Sequence, residues 1–253
     1  MNVNATKKKL ADGELVIGSF VYVPSARLTE IVGLLGFDFV VIDMEHGPVD
    51  IGMAEDMVRA AECADVTPII RVSHNTPHLI LRALDVGAMG LHVPEIAHVE
   101  EAKSMVASAK YGPLGHRGLG GVRASQWGLK GPMPEYTVDA NRETMVIAHI
   151  EHIDAANNLD QLLEVDGIDV YYVGPVDLSN SLGVPGRAKD PKVVACVEDC
   201  IQRIVAAGKI AGCIAADADG AKRYTDLGVR YLATHAIAHM AKGSRQFIED
   251  VRA

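Results

Sequence analysis

Short apolar, β-branched runs alternate with longer amphipathic stretches along almost the whole chain, and this alternation limits the fold more than any other feature. Eight runs read as strands: Val16–Val23, Phe39–Ile42, Pro68–Val72, Met89–Val93, Val146–Ile150, Val170–Val173, Ile210–Ile214 and Arg230–Ala233. Most are continuously apolar rather than alternating, the pattern of parallel strands covered on both faces. Gly52–Ala64, Pro77–Val86, Val99–Ser108 and Pro191–Ala207 carry helical periodicity between them. Eight strand–helix units predict an α/β fold, a (β/α)8 TIM barrel, which typically takes about 250 residues. The chain's 253 residues then form a single domain, 1–253. A doubly wound sheet is the other architecture, but no GxGxxG follows the first strand.

One stretch breaks the rhythm. Residues 110–144 are rich in Gly and Pro and carry the only Trp, Trp127. A segment this long without regular patterning is either an active-site loop or disordered, and its arginines and histidine favour an ordered functional loop.

Charge and apolar content exclude several partners. Lys+Arg 24 against Asp+Glu 33 leaves a net charge of −9, which repels a phosphate backbone, so no nucleic acid is expected. No apolar run approaches the ~20 residues of a membrane span, and no apolar stretch follows the basic cluster near Lys7. Four scattered cysteines do not make a disulfide framework. A reduced, cytoplasmic protein is the expectation.

In a barrel the reactive groups sit at the C-terminal ends of the strands. Strand two ends in Asp43-Met44-Glu45-His46, strand three at Arg71, strand five in Glu151-His152 and strand six in Gly174-Pro175-Val176-Asp177, whereas strand four ends blandly in Pro94-Glu95. Glu151 and Asp177, from adjacent strands, suit a hard divalent cation with water and substrate oxygens completing its shell. Equally, they are acidic residues at helix starts, although Asp154 is the better-placed cap after strand five. Arg71 reads as a clamp on a carboxylate or enolate oxygen, or as the ion-pair partner of Asp43 or Glu45. His46, with Asp43 fixing its tautomer, reads as a proton shuttle. His235/His239 and His74/His78 have helical metal-ligand spacing without a HExxH pattern, and rim or surface roles fit both pairs. Cys196 and Cys200 read as packing residues. No lysine ends a strand on this rim, which argues against a Schiff base, and the signal for a phosphate site after strands seven and eight is weak.

The segments DFVVIDMEHGP, IIRVSHNTP, LRALDVGAMGLHVPEI, IEHIDAANNLDQLLEVDGIDVYYVGPVDLSNSLGVPG and GKIAGCIAADADGAKRY resemble the HpcH/HpaI aldolases in collinear order over nearly the whole chain. These are class II, metal-dependent enzymes that use pyruvate as the nucleophile toward an aldehyde. The resemblance implies a phosphoenolpyruvate/pyruvate-type barrel whose C-terminal helix is exchanged between subunits of a hexamer, a trimer of dimers. It implies that Glu151 and Asp177 hold the metal, Mg²⁺ or Mn²⁺ first and Co²⁺ or Zn²⁺ as alternatives. It places Arg71 on the pyruvate oxygen, His46 with Asp43 in the acid/base role, and the backbone of Gly174, Pro175 and Val176 on the pyruvate carboxylate. His149 stands where the family pattern has Gln beside pyruvate, Phe20 where it has Trp near the acceptor, and Met44-Glu45-His46-Gly47 where it has Gly-Glu-His-Ala. The activity implied is cleavage or formation of 4-hydroxy-2-oxo acids. Oxaloacetate decarboxylation on the same site, CoA-ester cleavage and oxo-acid binding without turnover are the alternatives.

Overall fold

The computed structural model describes residues 2–253. Helix α1 (Ala5–Ala11) precedes β1 (Val16–Val21), followed by β2 (Phe39–Asp43), β3 (Thr67–Arg71), β4 (Gly90–Val93), β5 (Met145–Ile150), β6 (Val170–Val173), β7 (Ala211–Ile214) and β8 (Tyr231–His235). The connections hold α2 (Ala26–Leu34), α3 (Ile51–Cys63), α4 (Pro77–Asp85), α5 (Val99–Ala109), α6 (Met133–Glu143), α7 (Ile153–Asn157) and α8 (Leu159–Leu163). They continue with α9 (Pro175–Ser181), α10 (Pro191–Ala206), α11 (Ala218–Asp226) and the terminal α12 (Ala236–Arg252). Each strand pairs in parallel with the next and β8 pairs with β1, so the barrel closes and the predicted (β/α)8 fold is the observed one. Helix starts follow ordinary capping chemistry: Ser25, Asp50, Asp190 and Asp217 each accept a backbone N–H of the first turn they precede. Helix α7 is an exception to expectation, since the cap is His152, not Asp154.

Two apolar layers separate by strand parity. One set of alternate residues fills the barrel: Val16 and Phe20 from β1, Phe39 and Val41 from β2, Ile69, Ile147, Tyr172 and Tyr231 from strands further round. The other set, including Val40, Ile42, Ile70, Leu91 and Val146, packs outward against the helices. Gly18 belongs to the inner set because a Cβ there would lie 2.2 Å from the Phe39 ring, which stacks on Tyr231 at 4.2 Å. Parity also fixes function. Continuing the inner set upward places Asp43, Arg71, His92, His149 and His235 inside the barrel mouth.

Residues 110–144 depart from expectation. They are ordered and contain α6 as well as a short 3-10 turn at Arg123–Gly128. They connect a helix to the start of β5, so they lie at the end of the barrel opposite the C-terminal strand ends. Arg123 pairs with Glu62, Arg117 with Asp85 at 2.9 Å, and Tyr111 and Tyr136 pack together. The reading of this stretch as an active-site loop fails for its own barrel, because a helix-to-strand connection emerges on the wrong face.

Helix α12 buries none of its residues and leaves Met240, Phe247, Ile248 and Val251 exposed. Ile17, which points outward from β1, is 40% exposed where a barrel helix would cover it. No helix among the described residues is long and apolar enough to cross a membrane.

Candidate active site

Asp43 ends β2 directly beside Arg71 at the end of β3, and the strand register pairs them. Arg71 donates from Nε to Asp43 Oδ1 at 2.9 Å and from Nη2 to Oδ2 at 2.6 Å, while Nη1 lies 3.0 Å from Glu45 Oε2. This bidentate fork, with the guanidinium 4.9 Å above the Phe20 ring, holds Arg71 in one orientation. Burial pushes the Asp43 carboxyl up, but Arg71 and the backbone N–H groups of Glu45 and His46 outweigh it and hold Asp43 below its usual range. The expected Asp43–imidazole pair is therefore corrected. Both Asp43 oxygens serve Arg71, and Asp43 meets His46 through the His46 backbone N–H at 3.3 Å. The His46 ring is exposed at the rim and is a neighbour of Glu45 and Asp177 that acts to lower both carboxyls.

Glu45 behaves differently. Burial raises its carboxyl to about 7, Arg71 opposing and the neighbouring Glu151 charge adding to the rise. Four carboxylates thus share this rim with one guanidinium.

Glu151 follows β5 and is fixed from two sides. Its Oε1 accepts the Glu95 backbone N–H at 2.8 Å, and Oε2 lies 2.9 Å from His149 Nδ1. Glu95 reaches this position with φ 56°, a left-handed conformation that costs a non-glycine residue on the order of 1 kcal/mol or more. Burial pushes Glu151 up, yet the His149 ring, the Glu95 N–H and Arg71 together bring it to about 2. An ionised carboxylate only accepts, so His149 donates from Nδ1. His149 Nε2 then meets His92 Nδ1 at 2.7 Å, and His92 Nε2 meets the Tyr231 hydroxyl at 2.8 Å. Every polar atom in this buried row has a partner. Tyr172 stacks on His149 with ring centroids 4.9 Å apart, its own hydroxyl buried and without a hydrogen-bond partner among the described residues.

Asp177 is in the first turn of α9, which starts at Gly174 and Pro175, with Val176 exposed between them. Burial of part of the side chain and the Glu151 charge raise the Asp177 carboxyl, while the residue itself reaches solvent at the rim. Gly174 is required because a Cβ there would stand 2.9 Å from Glu151 Cβ and 3.1 Å from Oε2. No cluster of three or more His, Cys, Asp or Glu able to hold a metal exists among the described residues. The donor set present is two mutually repelling carboxylates, one of them reaching solvent. That fits an open oxygen-ligand site completed by water and substrate, not a closed cage.

The structure thus brings Phe20, Asp43, Arg71, His149 and Glu151 to one mouth, with Asp177 and His46 close enough to act on it electrostatically. It adds His92, Tyr172 and Glu95. The signal for His92 was parity, since it sits beside Arg71 in the β3–β4 register. His74 and His78 lie on the surface, and Cys200 is buried beside the half-buried Cys196 on α10.

Relatives carry the same architecture. The HpcH/HpaI aldolase/citrate lyase family model matches residues 17–237. A pyruvate aldolase of Rhizobium etli is 38% identical over 244 residues, covering 96% of this chain and 95% of that protein. A 4-hydroxy-2-oxo-heptane-1,7-dioate aldolase of Klebsiella pneumoniae is 38% identical over 232 residues, covering 91% of this chain and 86% of the other. A solved HpcH/HpaI aldolase/citrate lyase family protein from Burkholderia cenocepacia superposes with a TM-score of 0.94 at 30% identity, over 99% of this chain and 100% of that one. Barrel, carboxylate-lined mouth and end-to-end similarity converge, and the chain belongs to the HpcH/HpaI aldolase/citrate lyase family of lyases.

Proposed function

We propose that this lyase is a metal-dependent class II aldolase that splits 4-hydroxy-2-oxo acids into pyruvate and an aldehyde, or joins them. The observation that carries the reading is the pair Glu151 and Asp177: one carboxylate held ionised by His149, Glu95 and Arg71, the other raised by burial and by the Glu151 charge beside it. Such a pair is held together at a cost unless a cation belongs between them. Glu151 and Asp177 would hold a divalent ion, Mg²⁺ or Mn²⁺ by their hard oxygen donors. When bound, that ion supplies Lewis acidity that lowers the cost of forming an enolate.

The chain's own groups do the rest. Arg71, already oriented by Asp43 and Glu45, adds positive charge where the ketone oxygen becomes an oxyanion. Val176 and Asp177 carry first-turn N–H groups of α9 free to receive the substrate carboxylate, since Pro175 has none and Leu178 bonds to Gly174. Tyr172 and His149 wall the inner side of the site and keep bulk water from the enolate carbon. His46, exposed at the rim and unencumbered by Asp43, takes or returns the proton of the 4-hydroxyl.

The test is pyruvate release from a 4-hydroxy-2-oxo acid before and after chelation. Release is expected to fall to background on stripping and to return with added Mn²⁺ or Mg²⁺. Undiminished release from the stripped protein defeats the proposal. For assembly, α12 from a neighbouring subunit covers the exposed strip around Ile17. Light scattering is expected to give a multiple of the chain mass, and a monomer throughout the micromolar range overturns that part.

A further inference from the structure

Tyr231 opens β8, and His92 lies on β4, four strands away around the closed ring. The phenol ring stacks on Phe39 at 4.2 Å, and Phe39 in turn occupies the space that a Cβ at Gly18 would need. The Tyr231 hydroxyl reaches across the lumen to His92 Nε2 at 2.8 Å. From there His92 Nδ1 meets His149 Nε2 at 2.7 Å, and His149 Nδ1 meets Glu151 Oε2 at 2.9 Å. Three hydrogen bonds therefore join the first residue of β8 to the carboxylate at the rim, and all four residues are buried. Phe20 and Tyr172 pack T-shaped against the His92 ring, at 5.5 and 5.0 Å, and neither offers its nitrogens a hydrogen bond.

The donors in this row point one way. Glu151 is held ionised and only accepts, so His149 donates from Nδ1, and its Nε2 is left to accept from His92. Burial, then His149 and Arg71, push His92 well below its usual pKa, so its ring carries one proton, on Nδ1, and a bare Nε2. Burial holds the Tyr231 phenol well above its usual value, hence protonated and able to donate to that nitrogen. A divalent ion on the remaining lone pairs of Glu151 would leave it an acceptor toward His149, so the order is the same in the loaded site. Glu151 is aimed by the Glu95 N–H and by His149, His149 is aimed by His92, and among the described residues His92 bonds onward only to Tyr231. In so buried a setting a bond lost at one end is not replaced by water and is felt along the row.

We infer that Tyr231 is a positioning residue for Glu151, acting across the barrel through His92 and His149, and that it thereby raises the affinity of the rim carboxylate for a divalent cation. The inference rests on the metal-site reading of Glu151 above and deepens it. Outer partners orient a metal ligand and strengthen its grip. Here the last such partner stands three hydrogen bonds from the ligand, on the opposite wall of the barrel.

The experiment measures Mn²⁺ binding to the full-length protein by calorimetry in a double-mutant cycle. Tyr231→Phe keeps the stack on Phe39 and removes the hydroxyl alone. It is expected to weaken Mn²⁺ binding about three- to tenfold, the order of one uncharged hydrogen bond. With His92→Leu already in place, adding Tyr231→Phe is expected to change the affinity by less than about twofold, because the link is cut. His92→Gln, which keeps one donor and one acceptor, is expected to restore the sensitivity to Tyr231→Phe. Tyr171→Phe is the control: it removes a buried hydroxyl that donates to the Leu162 carbonyl at 2.9 Å, outside the row, so Tm falls and Mn²⁺ affinity stays. NMR of the metal-free protein with ¹⁵N-labelled histidine reads the direction. His92 is expected to hold its proton on Nδ1, its signal being the one lost in His92→Gln. Unchanged affinity in Tyr231→Phe, equal losses with and without His92, or a proton on His92 Nε2 overturns the inference. If Glu151→Gln lowers the affinity all the same, the metal site stands and the Tyr231 role alone falls; no Mn²⁺ binding by the wild type sinks both.

Discussion

Replacing Arg71 by Ala is expected to lower kcat for aldol cleavage by about 100- to 1,000-fold, the range for losing one preorganised oxyanion donor. Arg71→Lys is expected to recover little of it. Lysine restores the charge but not the planar fork that Asp43 and Glu45 hold at 2.6–3.0 Å, so the cation loses its aim. A pH series distinguishes lost chemistry from lost folding. Asp43 has a depressed carboxyl pKa, so its contribution to stability is present above its unfolded value and lost as pH falls through the folded one. Without Arg71, burial remains as the dominant influence and that contribution reverses. Glu45, already raised to about 7, contributes stability that is complete below its unfolded value and lost as pH rises through 7, and removing Arg71 enlarges the loss. The Tm difference between wild type and Arg71→Ala is therefore expected to be small near pH 4 and to widen toward pH 8. Equal Tm differences at both ends would mean the two carboxylates are not what Arg71 neutralises.

The residues that define this site differ in how far the chain announced them. All eight strands were legible because both faces of a parallel barrel strand are apolar, and burial then appears as a continuous run. Their ends were less so. The run Val16–Val23 overshoots β1, which stops at Val21, and Arg230–Ala233 stops short of His235, because polar inner residues at the mouth interrupt the apolar pattern. His92 stayed hidden for a different reason: it lies within the run read as the strand Met89–Val93, and only closure of the ring shows it inside, beside Arg71. Asp43 looked like a partner for His46 because sequence neighbours suggest themselves, yet lateral register brought it to Arg71 twenty-eight positions on. Glu95 gave no signal, since what it supplies is a backbone N–H made available by an unusual φ. Segment 110–144 carries loop composition, but composition does not tell which end of a barrel a loop occupies; the order of the elements on either side does.

Glu151→Gln is expected to abolish turnover, at least about 1,000-fold, and to weaken Mn²⁺ binding beyond the ~10- to 100-fold typical of losing an outer partner of a metal ligand. The substitution preserves size and removes one acceptor. Glu151 now receives two donors, the Glu95 N–H at 2.8 Å and His149 Nδ1 at 2.9 Å. A glutamine offers one oxygen and one NH2, so one of those donors faces another donor, and His149 must shift its proton toward His92 to relieve it. The row through His92 to Tyr231 then loses its complementarity in a fully buried setting. Relief of repulsion from Glu45 and Asp177 works the other way. The depressed Glu151 pKa decides between them: at about 2, its surroundings favour the charged form on balance, so its stability is present above the unfolded value of 4.5 and lost as pH falls through 2. Glu151→Gln is accordingly expected to be less stable than wild type at pH 7, by an amount on the order of 2–3 kcal/mol. That deficit should shrink toward zero near pH 2–3, as chemical denaturation would show. His92→Phe supplies the contrast: it leaves both carboxylates in place, so Mn²⁺ binding by calorimetry is expected to weaken within the outer-partner range while Glu151→Gln falls outside it. Equal Mn²⁺ affinity in wild type and Glu151→Gln would remove Glu151 from the metal site and leave its ionisation to be explained by His149 and Glu95 alone.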